Sequence, residues 1–105
     1  MVTKSRLEEM CIEPCDAYGI PRPSINVVVA GRVRDLFWPH VPLVVEADSY
    51  TWHRSPSRLS HDRQRDVELT LARIAFLRFS YEQVADQPSY VARAGVVAGS
   101  LPHRW

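Results

Sequence analysis

Near the middle of the chain an apolar run, Leu43-Val44-Val45, ends in Glu46-Ala47-Asp48. Such a run, entered through Val41-Pro42, predicts a short central strand buried on both faces. Residues i and i+2 of a strand point to the same side, so Glu46 and Asp48 offer two carboxylates to one region. Unpaired charges at the end of a buried strand are costly unless something positive meets them. The segment therefore demands a sheet covered on both faces, with either a cation or basic side chains at one strand end.

The flanking sequence supplies the rest of such a sheet. Ser5-Arg6-Leu7-Glu8 has the form of a capping box, followed by Leu7, Met10 and Cys11 on one helical face. Pro14 removes a helical hydrogen bond and clashes with the preceding turn, so this helix is expected to kink or end near Glu13. Gly19-Ile20-Pro21-Arg22-Pro23 reads as a turn. Ile25 to Ala30 predicts a strand, with a hairpin turn at Gly31. Arg32 to Trp38 predicts the next, with Val33, Asp35 and Phe37 on one face and Pro39 closing it. Tyr50 to Ser57 reads as a loop. Ser57 is placed as N-cap of a helix over 58–75, with Val67, Leu71 and Ile74 as its apolar face. Phe76-Leu77-Arg78-Phe79 gives a fourth strand, Ser80-Tyr81-Glu82-Gln83 a second capping box, and Pro88 the start of a last helix through Val97. Gly95, Gly99 and Pro102 predict a frayed tail. The order α-β-β-β-α-β-α implies an α/β (α+β) domain: one mixed sheet flanked by helices, plus a short C-terminal helix.

With 105 residues the chain fits a single domain over 1–105, its core spanning about 5–94. Apolar residues at 46% and charged residues at 24% match a globular chain. No apolar run nears the roughly 18 residues of a membrane-spanning helix, and Lys4 and Arg6 are followed by acidic residues instead of a leader's apolar stretch. A cytoplasmic protein is expected. Cys11 and Cys15, four apart in a helical segment, are poorly placed for a disulfide. They read as reduced, partly buried thiols, or as half of a metal site shared with a distant histidine. The net charge of +1 argues against a purely electrostatic nucleic-acid binder. Its distribution is uneven. Lys4 and Arg6 against Glu8, Glu9, Glu13 and Asp16 leave −2, whereas Arg54, Arg58, Arg63 and Arg65 against Asp62 and Asp66 leave +2. An acidic pocket beside a basic patch suits phosphate handling, and a solvated helix face has the same composition.

Asp35, on the strand beside Glu46, adds a third carboxylate. A few carboxylates, completed by water and phosphate oxygens, are what Mg²⁺ or Mn²⁺ prefers, and such an ion lowers the pKa of bound water. The alternative is that Asp35 pairs with Arg32 or Arg34. His53 is a candidate general base or hydrogen-bond donor to a scissile phosphate, or a surface residue. Tyr50 and Trp52 can stack on a base or pack on the core. Arg63 and Asp66, three apart, can pair with one another, while Arg63, Arg65 and Arg54 can contact phosphate.

Taken together, Ser5-x-Leu7-Glu8, Gly19-Ile20-Pro21-Arg22-Pro23, Asp35-Leu36-Phe37-Trp38-Pro39, Val44-Val45-Glu46-Ala47-Asp48, His53, Asp62-Arg63-x-Arg65-Asp66 and Leu77-Arg78-Phe79 resemble the Vsr-like (very-short-patch-repair-like) endonuclease domains of the PD-(D/E)xK group, in order and spacing. The resemblance implies a restriction-endonuclease-like α-β-β-β-α-β core and a metal-dependent endonuclease or nickase acting on DNA. On that pattern Asp35 and Glu46 hold Mg²⁺ or Mn²⁺, with Glu8 in the outer shell. Asp48 stands where many relatives carry an active-site lysine, and His53, Arg63 and Asp66 match family positions. Such domains often accompany a DNA-binding or antitoxin-like domain or partner. Departures are Ser49 in place of glycine, Arg34 before Asp35 in place of an apolar residue, Pro14 within a helix that relatives keep continuous, and the lack of any lysine beyond Lys4. They leave open a nuclease-fold module without catalysis, binding DNA or a protein in a toxin–antitoxin or defence system, or a structural domain with salt-bridged carboxylates.

Overall fold

A computed structural model describes residues 6, 8–48 and 56–100, with the side chains of 8, 10, 48, 58 and 97–100 outside that description. Pro14 divides the first helix as expected. A π-helical stretch, Glu8–Ile12, passes into α1, Glu13–Ala17, where the proline occupies the first turn and needs no hydrogen bond of its own. The coil through Pro21 is tied down by Trp38, whose Nε1 donates to the Pro21 carbonyl at 2.5 Å. β1 (Ser24–Val29) and β2 (Arg32–Trp38) form a hairpin through Ala30-Gly31, both at positive φ, the turn whose twist matches that of the strands.

β3 (Leu43–Asp48) pairs antiparallel with β2 and parallel with β4 (Ala75–Ser80), giving one mixed sheet in the order β1-β2-β3-β4. The parallel step is made by α2 (Pro56–Leu71). α3 (Tyr81–Asp86) and α4 (Pro88–Ser100) follow, α3 opened by the expected capping box of Ser80 and Gln83. The chain is thus an α+β domain with a four-stranded mixed sheet flanked by helices. None of its described helices is long and apolar enough to cross a membrane.

β3 reads inward on both faces. Leu43, Val45 and Ala47 join Cys11, Leu36, Phe79 and Val84 in one core, under α3 and α4. Val44 joins Val29 and Leu69 in a second, under α2. Cys11 and Cys15 are free and buried, and burial pushes the Cys11 thiol up to about 12, aided by Cys15 and Asp35. These are inert, protonated thiols.

Four expectations are corrected. α2 already includes Pro56 and Ser57, so Ser57 is not its N-cap, and it ends at Leu71 instead of running to 75. Arg73 (φ 61) takes the left-handed position, and Ile74 N donates to the Leu69 carbonyl while Arg73 N donates to that of Thr70. This closing motif usually carries glycine, so no residue signalled the end. The apolar face is also different: Val67 and Leu71 are 54% and 79% exposed, while Leu69 is fully buried. With Leu69 lie the half-buried Asp62, Arg65 and Asp66, at helical spacing. The inner face of α2 is polar over much of its length because it covers charged strand residues. In β2, likewise, Val33 is 55% exposed and Arg34 is fully buried, the reverse of the expected alternation.

Candidate functional site

The carboxylates sit where two strands part. Pairing of β2 with β3 runs through Leu36↔Val45 and stops, while β3 continues along β4 to Asp48↔Ser80. In the opening, Asp35 Oδ2 accepts from Ala47 N at 2.8 Å, and Asp35 N donates to Glu46 Oε2 at 3.4 Å. Each carboxylate thus binds the main chain of the facing segment and fills a place that a ladder bond would occupy.

A local distortion creates the opening. Ile25↔Leu36 and Val27↔Arg34 pair in register, but Asn26 between them stands at φ 52, a left-handed conformation that asparagine tolerates better than most residues. Ile25 and Leu36 pack in the core under α3 and α4, whereas Val27 packs in the core under α2. A regular strand would put i and i+2 on one side, so both strands exchange faces at Asn26 and Asp35. The exchange brings Arg34 under α2.

Arg34 is the residue that sequence reasoning missed as part of the site. Its Nε donates to the Val29 carbonyl at 3.0 Å and its Nη1 to the Arg65 carbonyl at 3.4 Å. Nη1 lies 3.8 Å from Glu46 Oε1, and Nη2 lies 3.7 Å from Glu68 Oε2. Arg65, from α2, places Nη2 at 3.6 Å from Glu46 Oε1 and donates to the Val33 carbonyl at 3.2 Å. Despite these neighbours Glu46 Oε1, Arg34 Nη2 and Arg65 Nε are buried and make no hydrogen bond. The one signal in the sequence was an arginine at a strand position where an apolar residue is usual.

Burial raises the Glu46 carboxyl to about 7, reinforced by the charge and hydrogen bond of Asp35 and opposed by Arg65. Burial likewise lowers Arg34, against the pull of Glu46. A carboxyl that titrates near neutrality exchanges its proton readily for a cation. The donor set fits a hard divalent ion in kind, with two carboxylates, one of them carrying an unbonded buried oxygen. The two guanidiniums are the charges such an ion must compete with.

Of the other expected residues, Arg63 is exposed on α2 and Asp66 pairs not with it but with Arg78, at 2.7 Å. Arg32 pairs with Glu68 and not with Asp35. The side chains of Glu8 and Asp48, and the whole of Trp52, His53 and Arg54, lie outside the described residues. Among the described residues no three His, Cys, Asp or Glu side chains converge, Asp35 and Glu46 being two. An apolar cavity of about 710 Å³, lined by Cys11, Leu36, Val45, Val91 and Val96 among others, lies away from the carboxylates, on the face covered by α4. Comparison with family models, with curated proteins and with solved structures finds no match for this chain.

Proposed function

We propose that the chain is a Vsr-like, Mg²⁺- or Mn²⁺-dependent endonuclease or nickase acting on DNA, built on a restriction-endonuclease-like core. The observation that carries this reading is how Glu46 is treated. Three arginine–carboxylate pairs elsewhere in this chain close tightly: Arg22 to Asp16 at 3.0 and 2.7 Å, Arg78 to Asp66 at 2.7 Å, and Arg32 to Glu68 through two bonds. Glu46 has two guanidiniums within reach and bonds to neither. A carboxylate present only for packing would be expected to take the bidentate geometry available to it. With Oε2 held by the Asp35 amide and Oε1 buried without a hydrogen bond, Glu46 is poised for another ligand.

Asp35 and Glu46 would hold the ion, with Asp48, on the same strand as Glu46, as a third carboxylate. Once bound, the ion would supply a more acidic water and stabilise charge on the phosphate oxygens. The Ala47 amide fixes one Asp35 oxygen, so that carboxylate is oriented before any ligand arrives. Glu46, near neutrality in its proton affinity, can hold a proton in the resting site and lose it at modest cost. His53 would assist proton transfer or the leaving group, and Arg65, with Arg54, Arg63 and Trp52, would engage the nucleic acid.

The test is nicking of supercoiled plasmid with Mg²⁺ or Mn²⁺ by the wild-type chain, Asp35→Ala and Glu46→Ala. Either substitution is expected to lower the rate by a hundredfold or more, beyond the ~10–100-fold lost when only an outer-shell partner is removed. EDTA should abolish cleavage.

A second reading has one observation in its favour. The guanidiniums at 3.8 and 3.6 Å already place positive charge beside Glu46, which suits a domain whose carboxylates are salt-bridged and hold no metal, as in a nuclease-fold module without catalysis. Absence of cleavage together with absence of calorimetric metal binding would select this module, binding DNA or a protein partner.

A further inference from the structure

The two arginines facing Glu46 are held in different ways. Arg34 is fully buried and fastened to two main-chain carbonyls, at Val29 and Arg65. Arg65 projects from the middle of α2, its side chain is 33% exposed, its Nη2 bonds the Val33 carbonyl at 3.2 Å, and its buried Nε bonds nothing. Arg34 cannot leave without giving up both carbonyl bonds and its place beneath α2. Arg65 can turn outward by giving up one hydrogen bond and a contact with Glu46 that is not itself a hydrogen bond.

We propose that Arg65 is an internal counter-cation of the carboxylate site, displaced outward toward phosphate when a divalent cation enters between Asp35 and Glu46. This rests on the metal-dependent reading above and goes beyond it, because it makes metal binding and nucleic-acid binding a coupled pair. In the metal-free protein the guanidinium supplies the positive charge that Glu46 Oε1 faces at 3.6 Å. A divalent ion at the same carboxylate repels it, and an expelled guanidinium on a half-exposed stem gains most from a phosphate, which it can bind through two parallel bonds. Each ligand then favours the arrangement the other needs, and the coupling is reciprocal by thermodynamic necessity.

Calorimetric titration of Mn²⁺ into the full chain, without DNA, reads this directly. Arg65→Ala is expected to bind Mn²⁺ about fivefold or more tightly than wild type, the lower end of ordinary coupling. Arg65→Gln, which retains an amide donor for Val33 without the charge, should tighten binding similarly and guards against a folding defect in the alanine variant. In the same preparations the affinity for a short DNA duplex, measured by fluorescence anisotropy with and without Ca²⁺, should rise about fivefold or more on adding Ca²⁺ for wild type. It should change little for either Arg65 variant, and little for Glu46→Ala. Wild type binding Mn²⁺ while both Arg65 variants bind no more tightly would overturn the counter-cation role and leave the metal-dependent reading standing. Failure of wild type and of both Arg65 variants to bind Mn²⁺ would remove that reading, and the inference with it.

Discussion

Glu46 concentrates the conflict between burial and chemistry in a single side chain. Its sequence neighbours, Val45 and Ala47, belong to the core under α3 and α4, and its own face of β3 carries the fully buried Val44. Water therefore does little to support its charge, and the nearby arginines compensate without closing a bond. The sign of the pH dependence follows. The folded chain holds the Glu46 proton up to about 7, against an ordinary value of 4.5, so it binds that proton more tightly than the unfolded chain does. Stability then falls as pH rises from about 4.5 to about 7, and the loss is complete above that. Glu46→Gln should flatten this slope and raise metal-free stability at pH 8 by up to about 3 kcal/mol, at 1.36 kcal/mol for each tenfold change in proton affinity. Urea unfolding at pH 5 and pH 8 measures it, and equal slopes for the two proteins would place the penalty elsewhere. At this scale much of the site was legible. Glu46 was found from the cost of a buried charge at the end of an apolar strand and Asp35 from its place on the neighbouring strand, whereas Arg34 was not, because its inward turn depends on the conformation of Asn26.

Among the elements, boundaries followed local chemistry wherever the local term was strong. The Ser80–Gln83 capping box opened α3, Pro14 divided the first helix, and Ala30-Gly31 closed the hairpin. α2 failed this test at both ends. It starts at Pro56, in the first-turn position that proline favours, ahead of the serine read as its cap, and its end used Arg73 where glycine is customary. Its apolar face was misassigned because periodicity assumes an apolar partner, and the strands beneath it present Arg32 and Arg34. α4 offers a cleaner measurement. Gly95 lies inside this helix, and an added methyl group there meets nothing within 4 Å. Gly95→Ala should therefore stabilise the fold by about 1 kcal/mol through helix propensity alone, read as a shift of the urea midpoint at constant m-value. A loss of stability would show that the cavity beside α4 is filled in solution by something the methyl group displaces.

For the whole molecule, Arg34 is where hairpin, sheet and crossover helix meet. One side chain reaches the Val29 carbonyl at the hairpin, the Arg65 carbonyl on α2, and the carboxylates of Glu46 and Glu68. Arg34→Ala removes all of these together and, among the described residues, leaves Glu46 with Arg65 alone opposite it. The expected cost is about 3–5 kcal/mol, the range for removing one partner of a buried charge pair. Chemical denaturation would detect it, and a cost within 1 kcal/mol would mean that the cluster is held by α2 without its help.

What the sequence determined by itself was the order of the elements, the central position of β3 and the meeting of Asp35 with Glu46. These follow from short-range terms: turn residues, the adjacency of consecutive strands and the number of apolar faces a segment must cover. Only the tertiary structure decided which charges are neighbours. The exchange of faces at Asn26 and Asp35, the polar inner face of α2 and the unequal fastening of Arg34 and Arg65 all depend on contacts between elements distant in the chain. Electrostatic partners are set by distances across packed layers, and no local pattern of residue types encodes those distances.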